Sequence, residues 1–448
     1  MSSSTPAGLR AANEITHRRR NAWQFTTIAL LFAGYAAYYF CRSDLSVAMP
    51  LLVDYLRQHG SDGNTGLIRL GGIASLGVVT YAVGKLLLTG LGDLWGGKRV
   101  FVSGMGGALA FTILFALGGG IPLFTLAWIG NRLSQSIGWA GLVKVCSKWF
   151  SYTSYGTVVG ILSLSFLVGD AAARQFMGML IQHGYGWRAL FYFAAAVAAV
   201  IFVANVLFLR ESRSALGLGE PEANPLNVFK AGTRRETIGS LLKPLLSNQG
   251  FWIVCLLSLG CTLIRETFNT WTPLYLRASF SFSDAAAAKA SAVFPGVGAL
   301  SVLLSGWISD RLGTTGRSIV MLFGLIATAL GLLALMFTRS GSPGAAPVAL
   351  LGLVAFGLLG PYSYLGGALA LDFGGKQGGA TASGIIDGIG YLGGILAGSG
   401  VAQTSVAFGW RGVFFGLAIV SALCAATAAL LWRYQRGQEQ LPENGVIV

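Results

Sequence analysis

The sequence predicts an all-α membrane protein, with twelve transmembrane helices in two pseudo-symmetric six-helix bundles. Three observations carry this reading. Only 11% of the 448 residues are charged while 54% are hydrophobic, and the mean hydropathy is +0.65; a soluble domain carries about 25% charged residues to cover its wet surface. Twelve stretches are apolar over the roughly 20 residues that a bilayer core demands of a helix. Landmarks of the first half recur in the second at a nearly constant separation.

The twelve stretches run over 23–53, 67–91, 100–121, 123–146, 155–181, 189–209, 250–276, 285–308, 319–338, 348–371, 378–406 and 412–432. The first exceeds a membrane's needs, so its ends should protrude. The third and fourth are divided only by Gly118-Gly-Gly-Ile-Pro122, which leaves almost no loop. The polar start, with Arg10, Arg18, Arg19 and Arg20, has no short apolar region with a small-residue cleavage site after it, so the first span is expected to stay as a helix. The abundance of Gly, 64 residues, suits helices that approach closely within a bilayer.

Charge places the loops. Lys98, Arg99, Arg210, Arg213, Lys230, Arg234, Arg235, Lys243, Arg311, Arg317, Arg433 and Arg436 fall on the side of the amino terminus, whereas the opposite loops hold sparser, partly balanced charge. By the positive-inside rule both termini are cytoplasmic, in the cell membrane or, in a Gram-negative cell, the inner one. The net charge of +14 therefore reads as topology and lipid contact, not as a nucleic-acid surface. The expected organisation is a cytoplasmic segment 1–22, a first bundle 23–210, a cytoplasmic loop 211–248 with Pro221, Pro225 and Pro244, a second bundle 249–433 and a tail 434–448.

The halves correspond. Arg42 and Arg265 are 223 positions apart, and so are Arg188 and Arg411 in the two Gly-Trp-Arg strings; Asp93 and Asp310 are 217 apart. A duplicated unit with a midplane site between its copies is the signature of secondary transporters. A guanidinium inside a bilayer costs on the order of 2.5–3.5 kcal/mol even on lenient insertion scales, so two at matching places point to one anionic ligand between them. Each offers a planar fork that fits phosphate or carboxylate.

Other polar residues cluster near these arginines along their helices. Tyr39, Tyr38 and Tyr35 precede Arg42 by three, four and seven positions, so most of this stripe is expected on the arginine's face. Tyr81 and Lys85 form an i, i+4 pair, as do Asp170 and Arg174, which should satisfy each other. Asn269 shares the face of Arg265, whereas Glu266, its immediate neighbour, is expected to point elsewhere. Asp387 and Tyr391 are i, i+4 beside a ridge of Gly390, Gly394 and Gly398, and Asp387 is a candidate proton carrier or partner of an empty-site cation. Arg132 has no local acidic partner. Arg42, Lys85, Arg132, Arg174 and Arg265 outnumber Asp170, Glu266 and Asp387, so the cavity should be electropositive and, when empty, should hold repelling cations apart. Cys41, Cys146, Cys255, Cys261 and Cys424 lie in or beside apolar segments without metal-type spacing, and read as small buried hydrophobes. With no P-loop, zinc spacing or nucleophile motif, no enzyme activity, metal or cofactor is expected.

At these residues the chain resembles the organophosphate:phosphate antiporters of the major facilitator superfamily, in the hexose-phosphate and glucose-6-phosphate transporter-like branch. The resemblance runs from about residue 23 to 432. It is carried by Gly34-Tyr-Ala-Ala-Tyr-Tyr-Phe-Cys-Arg42 with Ala48-Met-Pro50, Gly84-Lys85, Asn131 to Gly138-Trp139, Lys148-Trp-Phe, Arg265 before Trp271-Thr-Pro, and Gly390-Tyr-Leu-Gly-Gly394. It implies a major facilitator fold and rocker-switch exchange of an organic phosphate for inorganic phosphate by a monomer. Arg42 and Arg265 would hold the phosphate, Lys85 would be the matching lysine, and Tyr35, Tyr38, Tyr39, Tyr81, Trp139 and Tyr391 would be the aromatic cavity positions. The pattern is broken at four places. Phe166, with Ser163 nearby, stands where the glycerol-phosphate branch uses a histidine; Ala140-Gly141 replaces a Pro-Pro, removing a helix breaker; Arg132 occupies a position normally small and uncharged; Thr89 replaces a glycine. Arg132, Ser163, Phe166, Glu266 and Asp387 are thus candidates for coupling or selectivity. Some members of this family are ligand sensors for a membrane kinase, and a proton-coupled carrier of another organic anion is a further alternative.

Overall fold

The structure is a computed structural model, and it describes residues 7–88, 95–219, 243, 245–312, 315–338 and 344–439. Thr89, Asp93 and most of the central connection lie outside the described residues. All regular structure among the described residues is helical.

The first half comprises α1 (Ala7–Gln58), α2 (Gly63–Leu88), α3 (Gly97–Leu117), α4 (Ile121–Ser136), α5 (Gly138–Trp149), α6 (Tyr152–Ser163), α7 (Ser165–Gln182) and α8 (Trp187–Phe208). The second comprises α9 (Gln249–Phe280), α10 (Asp284–Ser291), α11 (Val293–Arg311), α12 (Gly316–Phe337), α13 (Ala345–Tyr364), a π-turn at Leu365–Leu369, α14 (Ala370–Leu396) and α15 (Ser399–Glu439). Nine stretches among the described residues are long and apolar enough to cross a membrane. The difference from twelve has local causes. The last two expected spans run together across Gly409, whose φ of 68° only glycine adopts freely. The fourth is divided between α4 and α5, each too short alone, and the first carries tyrosines, Arg42 and Asp44.

The third and fourth spans do separate at Gly118–Gly120, with Pro122 in the first turn of α4, where its missing N–H costs nothing. Ala140-Gly141 does not restore a continuous fourth span, because the helix is still interrupted at Ile137. There Gly138 lies so close to Tyr38 that an added Cβ would meet its ring at 2.8 Å.

One buried apolar core runs through both halves, and a smaller one lies within the first. In the first half α1 lies on α7 and α8, and α3 on α4 and α8; in the second α12 lies on α13 and α15, and α9 on α14. All five cysteines are buried and free. Glu211, just beyond α8, accepts from the backbone N–H groups of Gly97 and Lys98 at 2.9 and 2.7 Å. It therefore places a carboxylate at the positive end of the α3 dipole while binding Lys148 at 2.6 Å.

The halves meet through α1 with α9, α2 with α14 and α15, and α7 with α10. Several of their polar contacts lie between mid-span and the ends that point away from the chain termini. Ser46 donates to the Thr270 carbonyl at 2.9 Å, Gln175 to that of Lys289 at 2.9 Å and Ser75 to that of Ile395 at 2.6 Å. Arg277 binds Asp54 and, at 2.9 Å, the Pro50 carbonyl. The side away from the termini is closed.

Candidate functional site

The closed contacts roof a small cavity of about 50 Å³, room for a few waters, near the middle of the molecule. Arg42, Ser43 and Ser46 of α1, Arg132 of α4, Asp170 and Arg174 of α7, and Glu266 and Asn269 of α9 line it.

The two arginines converge on one carboxylate. Arg265 Nη2 donates to Glu266 Oε1 at 2.5 Å, and Arg42 Nη2 lies 3.7 Å from the same oxygen. Neighbouring residues on a helix point about 100° apart, which is why Glu266 was expected elsewhere. Their long side chains nevertheless bend toward the same gap, so this expectation is corrected. Glu266 is only 5% exposed and Arg265 7%, and the Arg265 Nε is buried without a partner. Arg42 and Arg265 are therefore not two cations held apart by repulsion; the Glu266 carboxylate sits between them.

Aromatic faces hold the remaining cations. The Arg42, Arg132 and Lys85 head groups lie 5.0, 4.9 and 5.4 Å from the centre of the Tyr81 ring, distances suited to cation–π attraction. Arg42 also lies over Tyr39 at 5.2 Å, Lys85 over Tyr391 at 5.5 Å, and Arg265 over Tyr362 at 4.4 Å. Tyr81 meets Tyr391 edge to face at 5.4 Å, joining α2 to α14 across the halves. Beside them Lys85 Nζ lies 3.3 Å from Asp387 Oδ2, so Asp387 partners a cation of the opposite half.

Other sequence candidates are placed differently. Tyr35 packs on Trp139 with ring centres 5.2 Å apart, and Tyr39 on Phe166 at 5.6 Å. Tyr38 turns away from the cavity, a correction to the shared-stripe reading: its hydroxyl donates to the Phe101 carbonyl at 2.6 Å inside the first half. Positions three and four before Arg42 straddle its direction, and packing on α3 claims the second. Ser163 donates to its own helix at the Val159 carbonyl, 2.8 Å away.

Asp170 and Arg174 pair at 2.7 Å as expected, but the pair does more than satisfy itself. Arg174 also donates to the Asn269 carbonyl at 2.8 Å and to Ser291 at 3.1 Å, both in the second half, while Ser43 donates to Asp170 at 2.5 Å. Breaking such a buried pair by removing one partner typically costs about 3–5 kcal/mol.

Two residues escaped the sequence reading. Asp44 is fully buried, and its Oδ2 has no partner. The signal was an acid two positions after Arg42. Tyr362 carries the Arg265 cation–π contact; it follows Pro361 and precedes the π-turn, a distortion that often marks functional sites.

This is the arrangement of a polytopic carrier with a central charged site between two related halves. The family model for the Major Facilitator Superfamily matches residues 31–398, and the chain belongs to that superfamily. Among relatives, the probable hexose phosphate transport protein of Chlamydia muridarum is 27% identical over 94% of this chain and 92% of its own length. The glycerol-3-phosphate transporter of Bacillus subtilis is 24% identical over 92% and 93%. The membrane sensor protein UhpC of Escherichia coli is 26% identical over 92% of each. These names agree with the organophosphate:phosphate antiporter resemblance and are those of transporters and a sensor, not of enzymes. Among solved structures, a bacterial homolog of the human lysosomal transporter Spinster, inward-facing and unoccupied, superposes with a TM-score of 0.77 at 14% identity, covering 93% of this chain and 98% of its own. That likeness shows the fold.

Proposed function

We propose that this protein is a secondary transporter that exchanges an organic phosphate, such as a sugar phosphate, for inorganic phosphate by alternating access. One observation carries the reading: Arg42 and Arg265, from equivalent places in the two halves, reach the same carboxylate oxygen, a position that a phosphate oxygen can take. Two forks from opposite halves grip a dianion only when the halves are together, which links binding to closure. Lys85, Tyr81, Tyr39 and Tyr391 complete the wall, and Arg132, Asn269, Phe166 and Asp387 set which organic group fits. The rocking units are 23–210 and 249–433. One chain supplies both arginines, so a monomer suffices. Both termini face the cytoplasm, and the closed side faces away from it.

The test is uptake of labelled inorganic phosphate into proteoliposomes loaded with inorganic phosphate, competed with sugar phosphates, triose phosphates and phosphonates. Arg42→Ala and Arg265→Ala should each lower exchange by about 100-fold or more while the protein stays monodisperse, a loss that corresponds to a charge-assisted pair made at the rate-limiting closure. Retained exchange in either variant overturns the assignment. The similarity to UhpC favours a second reading, a membrane sensor using the same pocket; saturable ligand binding without flux selects it.

A further inference from the structure

We infer that Glu266 is a built-in stand-in for the transported anion, and that it lets the empty carrier reorient, so that the protein also moves phosphate in one direction without a counter-substrate. The inference rests on the phosphate-exchange reading of this site.

The argument starts from what forbids an empty return. A carrier that closes around two buried guanidinium groups with nothing between them must enclose uncompensated charge, and that closed state is strongly disfavoured. Bound phosphate removes the obstacle, which makes exchange obligatory in a site containing arginines alone. Here one carboxylate already offsets one of the two charges. Glu266 Oε1 is 2.5 Å from Arg265 Nη2 and 3.7 Å from Arg42 Nη2, so one carboxylate reaches across the interface between α9 and α1. It is buried together with Arg265, with Arg42 half-buried beside it, in the part of the molecule where the halves are closed on each other.

Glu266 has no other ion-pair partner among the described residues, and its carboxylate is not held away from the arginines by a second anchor. Of the surrounding charged groups, Arg132 rests on Tyr81 and Trp128, Lys85 pairs with Asp387, and Arg174 pairs with Asp170. Glu266 is therefore the carboxylate available to the arginine pair. A phosphate oxygen accepting from Arg265 Nη2 would occupy the same donor face, so phosphate and Glu266 compete. Two effects follow from the one geometry: the empty form can close, and phosphate must displace an internal anion to bind.

The experiment compares two fluxes in the same proteoliposomes, loaded with labelled inorganic phosphate and voltage-clamped with potassium and an ionophore. Efflux into phosphate-free medium reports return of the empty carrier, and efflux into medium with inorganic phosphate reports exchange. Wild type is expected to show net efflux within about tenfold of exchange, and Glu266→Gln to lower the ratio of net efflux to exchange by about tenfold or more, the effect of one lost charge-assisted pair. Glu266→Asp, which keeps the charge, should restore most of the ratio. Binding of inorganic phosphate, measured separately, should tighten by about tenfold in Glu266→Gln because the competitor is gone. Wild-type exchange without net efflux overturns the inference and leaves the exchange reading standing, as does an unchanged ratio or weakened binding in Glu266→Gln. Wild type that neither binds nor exchanges inorganic phosphate overturns both.

Discussion

Arg277 of α9 forms an ion pair with Asp54 of α1, and these residues are 223 positions apart, the same separation as Arg42 and Arg265. Equivalent residues of a duplicated chain touch only where their helices lie beside the pseudo-two-fold axis. The axis therefore passes between α1 and α9, through the paired arginines at mid-span and the Asp54–Arg277 pair at the closed end. Pro50 and Pro273, also 223 apart, lie in the same two helices.

The Asp54–Arg277 pair should act on conformation more than on stability. Both side chains are partly exposed, so the pair is worth about 0.2–1 kcal/mol. Asp54→Arg places like charges across the closed end and should shift the population toward opening there. The double exchange Asp54→Arg with Arg277→Asp should reverse the shift, as read by spin-label distances between the ends of α1 and α9. Asp284, 3.1 Å from Arg277, makes the restoration partial.

Gly398 should be the most sensitive glycine of the α14 ridge. An added Cβ there would lie 2.5 Å from the Gly71 carbonyl oxygen, and one at Gly71 would lie 2.7 Å from Ala402 Cβ, so backbones of opposite halves touch at this point. By contrast, Gly390 faces Ser258 and Thr262 within its own half. Gly398→Val is expected to hold the carrier open on the side away from the termini, with ordinary expression and exchange lowered at least about tenfold, the penalty of overpacking a tight contact. Solvent labelling of a cysteine placed at Ser75 measures the opening.

Arg174→Ala should leave Asp170 buried without its cation and release three contacts to α1, α9 and α10. A loss of about 3–5 kcal/mol is expected, seen as a lower unfolding temperature in detergent. Arg174→Ala combined with Asp170→Asn should recover part of it, because the stranded charge is gone.

Glu211 gives a pH dependence. Burial alone would push its carboxyl up, but hydrogen bonds from Lys148 and from the backbone of Lys98 and Gly97 together hold it below the usual carboxylate range. A depressed folded value means that the stabilisation is complete above the ordinary value of about 4.3 and is lost as pH falls through the folded one. The difference in unfolding temperature between wild type and Glu211→Gln should thus be constant near neutrality and shrink progressively as pH falls below the ordinary value of about 4.3. A difference that grows on acidification would contradict this.

The sequence by itself determined the apolar spans, the duplication and the two arginines. Each depends on a property that the linear chain displays: hydropathy over a span length, a repeat separation, and the cost of a cation in an apolar run. The i, i+4 pairing of Asp170 with Arg174 was legible for the same reason, since helical periodicity alone brings those residues together. Only the tertiary structure decided how faces of different helices meet. It turned Tyr38 into the first half, gave Asp387 to Lys85, extended Arg174 across to α9 and α10, and brought Glu266 between the arginines. Periodicity sets an angle about a helix's own axis. Which neighbour occupies that angle depends on the crossing of segments 63 to 302 residues apart, and long charged side chains then bend toward the opposite charge that the crossing supplies.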